Sequence, residues 1–184
     1  MKKVIMTLAI LALFVGAANA CEPYTALLLT EGDDPLVQAC DVQGLGNFDP
    51  IEWRLWIYND TVKGLGGFEM GMDFGGFTTY LAGELNPAAI YVAGTVTTSA
   101  FAGSFTSCQR DQYVWIAKFS KPYTGTPHMM TTIPNSDSGA YQVTSCEENY
   151  PKYPVIKGNE FGVMLPCEVD TDTESWGAVK SMYR

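Results

Sequence analysis

Histidine is almost missing from this chain, and basic residues are scarce. A single imidazole, His128, excludes a multi-histidine metal centre, and no Gly-x-Ser-x-Gly elbow stands with it to suggest a serine hydrolase. The cysteines never form a Cys-x-x-Cys pair, so neither a zinc-finger nor a thioredoxin-like spacing is present. Against 20 Asp and Glu there are only 11 Lys and Arg, a net charge of −9 that repels phosphate backbones and anionic headgroups; nucleic acid is not an expected partner. Long apolar runs are absent apart from Val4 to Val15, which falls short of the roughly 20 residues a bilayer requires, so no transmembrane segment is expected in the mature chain. No internal repeat of fixed period occurs.

An export pattern is present at the N-terminus. Lys2 and Lys3 form a basic start, Val4 to Val15 an apolar stretch, and Ala18-Asn19-Ala20 a small-x-small cleavage site of bacterial type. Residues 1–20 therefore read as a signal peptide, and the expected location is secreted, periplasmic or cell-surface. Cleavage would leave Cys21 first, a candidate for lipidation, although the residues before it lack the leucine of the usual lipobox. Lipidation of Cys21 would leave Cys40, Cys108, Cys146 and Cys167 free to pair; the alternative is one or two disulfides with a spare thiol. Residues 21–168 are one domain's worth of chain, and 169–184 read as an acidic linker and a short helix. A hydrophobic content of 47% with 17% charged residues argues against disorder.

The body of the chain alternates with a period of two. In Ile51 to Tyr58 the residues Ile51, Trp53, Leu55 and Ile57 share a face, with Glu52 and Arg54 opposite; Phe68, Met70, Met72 and Phe74 repeat the pattern after the turn residues Asn59 to Gly64. Together these predict a β-hairpin at the centre of the fold. Further strands are predicted at Tyr24 to Thr30, Leu36 to Cys40, Phe77 to Ala82, Ala88 to Ser99 with a bend at Gly94, Gln112 to Phe119, His128 to Ile133, Ala140 to Thr144 and Glu160 to Leu165. Within Gln112 to Phe119 the residues Tyr113, Trp115, Ala117 and Phe119 should share a face, and the apolar Val114 and Ile116 imply burial on both sides. Strands at such spacing, punctuated by Gly, Pro, Asn and Asp, define an all-β sandwich or barrel. Only Trp176, Val179 and Tyr183 carry a helical spacing, over too few turns to be stable without a surface to dock on.

The strand Ile51 to Tyr58 followed by Gly67-Phe68-Glu69-Met70-Gly71-Met72-Asp73-Phe74 resembles the opening of cohesin-type and related immunoglobulin-like bacterial sandwich domains, with Tyr113 to Phe119 matching a later strand. That resemblance implies a non-catalytic module displayed outside the cell for protein or polysaccharide attachment. The Asp-Pro dipeptide that such domains carry after the Gly-Phe strand is replaced here by Phe74-Gly75-Gly76-Phe77.

Several groups are candidates for chemistry. Trp56 and Tyr58, beside Arg54 on the polar side of their strand, would form a sugar-stacking platform, or be covered by a loop or the C-terminal helix. Glu52, Glu69 and Asp73 would lie on the wet face of the central hairpin, close enough for a carboxylate pair. Asp170, Asp172 and Glu174 alternate as hard oxygen ligands for Ca2+, the one cofactor suggested, although Ser175 and Ser181 break the EF-hand pattern and a solvated linker is the plainer reading. Asp33 and Asp34 with Asp41 are a second acidic set. His128 reads as a surface or edge residue, and Asn59-Asp60-Thr61 fits a glycan-acceptor pattern. The function expected is non-catalytic adhesion or assembly through a protein or polysaccharide partner outside the cytoplasm. The alternative is a carbohydrate-binding module using Trp56, Tyr58 and Arg54, and third comes a carboxylate hydrolase.

Overall fold

The computed structural model describes residues 23–32, 34–76 and 79–167. The predicted signal peptide, Cys21, Asp33, the acidic set Asp170, Asp172 and Glu174, and the C-terminal helix lie outside them. The described residues form strands and no helix.

One sheet is built around β3 (Pro50–Tyr58), which pairs with β1 (Thr25–Thr30) on one side and β8 (Tyr113–Pro122) on the other. With β5 (Ala82–Leu85) on β8 and β12 (Ile156–Lys157) parallel to β1, its order is β12-β1-β3-β8-β5. The other sheet centres on β4 (Leu65–Asp73). Residues Leu65 to Met70 of β4 pair with β7 (Phe101–Gln109), residues Gly67 to Glu69 also with β10 (Gln142–Thr144), and Gly71 to Asp73 with β9 (His128–Ile133). This sheet extends from β10 to β11 (Lys152–Pro154), from β9 through β13 (Phe161–Val163) to β2 (Asp41–Val42), and from β7 to β6 (Ala89–Gly94).

The two sheets face each other across one apolar core. Alternation supplies Ile51, Trp53, Leu55 and Ile57 from β3, and Phe68, Met70 and Met72 from β4, all buried. Trp53 is the pivot, stacked between Phe119 of its own sheet at 5.3 Å and Phe161 of the opposite sheet at 5.5 Å. Each such ring contributes about 1.5–3 kcal/mol by leaving water. An all-β, sandwich-like architecture results, as the periodicity predicts.

The central hairpin is not formed. β3 and β4 belong to different sheets, because both edges of β3 are occupied by β1 and β8 and the two apolar faces meet across the core instead of lying side by side. The connection is an arch. Asn59 is buried and donates its amide to the carbonyls of Gln109 (3.0 Å) and Asp111 (3.1 Å), while Asp60 Oδ1 accepts the backbone N–H of Val62 and Lys63. Gly64 closes it at φ 71°, where a Cβ would lie 2.4 Å from Cys108 Sγ.

β8 also departs from expectation. Leu55 pairs with Ala117 but Trp56 with Trp115, so Ile116 is an extra residue and the phase shifts there. Ile116, Ala117 and Phe119 point into the core with Val114, while Tyr113 and Trp115 face outward. The apolar run that implied burial on both faces is a bulge. Leu36 to Cys40 is turn and coil rather than strand, Thr79 and Tyr80 of the predicted strand Phe77 to Ala82 form a turn with β5 starting only at Ala82, and β7 falls where no strand is predicted. Two disulfides are present, Cys40–Cys167 and Cys108–Cys146, each with Cα atoms 5.8 Å apart. The second ties the strands that flank β4.

Candidate functional site

On the outer face of the smaller sheet, β1, β3 and β8 align Leu27, Trp56 and Trp115 in one row, and Leu29, Arg54 and Lys118 in the next. Trp56 is only 4% exposed and packs with Leu27 and Leu29, so its face is not open for a sugar ring. Arg54 lies over the Trp115 ring at 5.0 Å and over Trp56 at 5.9 Å, and Tyr58 meets Tyr113 edge-on at 5.3 Å. The three residues predicted as a platform are neighbours, but they are engaged with one another.

At the end of this face Glu31 Oε1 accepts Lys118 Nζ at 2.7 Å and Arg54 Nη2 at 3.0 Å. Partial burial pulls the Glu31 carboxyl up, yet hydrogen bonds with Lys118, Glu52 and Arg54 outweigh it and hold the group below its ordinary value. Glu52 is pushed the opposite way, chiefly by its hydrogen bond to Glu31 and then by that residue's charge. Glu52 therefore pairs with Glu31, a partner the periodicity does not disclose. Glu69 and Asp73 are on the opposite sheet, so the predicted set of three carboxylates is not assembled.

His128 is buried rather than superficial; its Nδ1 lies 2.9 Å from the Thr126 carbonyl, and burial foremost lowers its pKa. Asn59, buried in the arch, is closed to glycosylation. Among the described residues no group of three or more His, Cys, Asp and Glu is arranged to hold a metal.

The larger sheet carries an open surface that the sequence does not announce. Where β4, β7 and β10 run together, inward residues Phe68, Phe101, Phe105 and Val143 fill the core. Their outward neighbours are small or polar: Gly67 lies between Ser104 and Thr144, and Glu69 between Ala102 and Gln142. The result is a solvent-open groove of about 630 Å³, with Val92 of β6 and Tyr150 among its lining residues and the Cys108–Cys146 disulfide in its wall. Val92 is 67% and Tyr150 69% exposed.

Two groups in the groove are held in place. Glu69 Oε1 accepts from Ser138 Oγ at 2.5 Å and Oε2 from Gln142 Nε2 at 2.8 Å, and these bonds keep the carboxylate below its ordinary pKa, hence ionised at neutral pH. Tyr150 sits in a turn with φ 50°, its N–H donating to the Glu147 carbonyl at 3.0 Å; Glu147 in turn accepts from Ser145 Oγ and from the Tyr153 hydroxyl. The turn directly follows Cys146, so the ring is presented by a pinned loop. The signal that could have found the groove is the phase of β7, where Phe101, Gly103 and Phe105 alternate with Ala102, Ser104 and Thr106.

Fold and site together define a disulfide-bonded all-β protein of two facing sheets, with a side-chain-lined groove on the larger one. No protein-family model, curated protein or solved structure matches the chain.

Proposed function

We propose that this chain is a non-catalytic interaction module of immunoglobulin-like or cohesin-like type, exported by residues 1–20, that holds a protein or polysaccharide outside the cytoplasm in the groove across β10, β4 and β7. The groove itself carries the reading: its floor is cleared of bulk while Glu69 and Gln142 are held by hydrogen bonds and Tyr150 stands exposed among the lining residues. The two disulfides fit an oxidising compartment. A non-catalytic role is favoured because Glu69 is the sole carboxylate among the described lining residues, where hydrolysis of a glycosidic bond takes two. The aromatic face at Trp56, Tyr58 and Arg54 is the weaker contact surface, since its rings are already packed.

The test is retention of the oxidised protein on intact cells or extracellular matrix. Ser104→Arg puts a long side chain into the groove from an outward position and leaves the core untouched. Retention falling at least tenfold in that variant is the expected result; unchanged retention would overturn the assignment of the groove.

A further inference from the structure

We infer that the occupant of the groove is a neutral polysaccharide strand, with Tyr150 as its stacking platform and Glu69 as the acceptor that fixes its hydroxyl groups. This rests on the groove being the contact surface and goes on to name the ligand.

Backbone chemistry separates a glycan from an extended peptide. A peptide that joins a sheet does so through a free edge, taking the unpaired N–H and C=O groups of the last strand. The groove floor is the interior of the sheet, where β4 is paired on both sides with β7 and β10. Anything lying there is therefore read by side chains.

Among those side chains, Thr106, Ser104 and Glu69 present acceptors. Thr106 Oγ1 donates its proton to the Ala88 carbonyl at 3.0 Å, and Ser104 Oγ donates to the Gly66 carbonyl at 3.3 Å, so each hydroxyl turns lone pairs outward. Both Glu69 oxygens already accept one bond, which orients the carboxylate and leaves each oxygen a further lone pair. A surface of oriented acceptors fits a ligand dense in O–H donors, and two carboxylate oxygens match two neighbouring hydroxyls of a pyranose. Tyr150 adds a flat apolar surface for the C–H face of a sugar ring. The ionised Glu69, in a chain of net charge −9, repels uronate and sulfate, which excludes an anionic strand.

Affinity electrophoresis tests this with the oxidised protein run in gels containing hydroxyethylcellulose, barley β-glucan or galactomannan, and polygalacturonate as the anionic control. The expected result is retardation by at least one neutral polymer and none by polygalacturonate. Apparent affinity should fall at least tenfold in Tyr150→Ala and in Glu69→Gln, both of which alter exposed or half-exposed side chains and keep the fold, as checked by circular dichroism. Retardation by none of the neutral polymers, stronger retardation by polygalacturonate, or an unchanged affinity in Tyr150→Ala overturns the inference. If the neutral polymers fail while retention on cells is still lost in Ser104→Arg, a protein occupies the groove and only the glycan assignment falls. If Ser104→Arg also retains the wild-type behaviour, the groove itself is not the site.

Discussion

Trp56 illustrates how one position is governed by its neighbours. Its ring lies between Leu27 on β1 and Trp115 on β8, with the Arg54 guanidinium over it, so truncation removes packing rather than a ligand contact. Trp56→Ala is expected to lower stability by about 3–5 kcal/mol, read as a lower urea midpoint at unchanged slope. Binding through the groove should persist wherever the variant remains folded. Asn159 shows the same economy at the edge of β1: its side-chain amide accepts the Leu28 N–H at 2.8 Å and donates to the Leu28 carbonyl at 2.7 Å, standing in for a strand partner where β12 stops. Gly103 is required for a different reason. A Cβ there would lie 2.3 Å from Phe68 Cζ, so the bare backbone of β7 makes room for a core ring of β4.

At the level of elements, the Cys108–Cys146 disulfide joins the strands on either side of β4 and forms a wall of the groove. Its loop spans a sequence separation of 38, which the chain-entropy relation converts to about 4 kcal/mol of stability. The Cys108→Ala/Cys146→Ala double variant should lose about that much in urea unfolding, and its affinity for the groove ligand should fall with it. An unchanged affinity in the folded variant would show that the wall does not depend on the bridge.

Which elements can be read from the sequence follows from what fixes them. β3 and β4 are legible because their apolar faces are written at period two with large residues, and β1 because its short apolar run Ala26 to Leu29 is bounded by turn residues. The partner of β3 is not legible: alternation says which face is buried and is silent on which strand lies alongside, so Ile51 to Phe74 reads as a hairpin while the structure is an arch. β7 escapes because Ala102, Gly103, Ser104, Thr106 and Ser107 read as loop, although their smallness is what opens the groove. The bulge at Ile116 escapes because one inserted residue reverses the phase without changing the composition. Arg54, Trp56 and Tyr58 do cluster as the alternation predicts, but that two packed tryptophans would close the platform is a property of three strands together.

Part of the molecule's response to pH comes from groups whose charged forms are penalised by burial. Burial lowers Lys121 to about 8 from its ordinary 10.5, so between those values the unfolded chain binds the extra proton and stability rises with pH. Tyr141, pushed up to about 12 chiefly by burial, stays neutral in the fold while its unfolded counterpart ionises near 10, and stability falls beyond that point. Tyr24, also raised by burial, acts in the same direction. His128, lowered by burial, removes stability as pH drops below its ordinary 6.5. Urea midpoints should therefore peak at about pH 9–10, and Lys121→Met should abolish the rise above pH 8. A flat profile between pH 8 and 10 in the wild-type protein would contradict the burial of that amine.

The proposed contact surface is the larger sheet's groove, not the packed aromatic face of the smaller one. The most direct measurement is a nuclear magnetic resonance footprint of the 15N-labelled oxidised protein titrated with the material that retains it. The prediction is that backbone shifts change at Gly67, Glu69, Ser104, Thr144 and Tyr150 while the Trp56 and Trp115 indole signals stay fixed. Shifts centred on Trp56, Trp115 and Tyr58, with the groove amides unmoved, would contradict it.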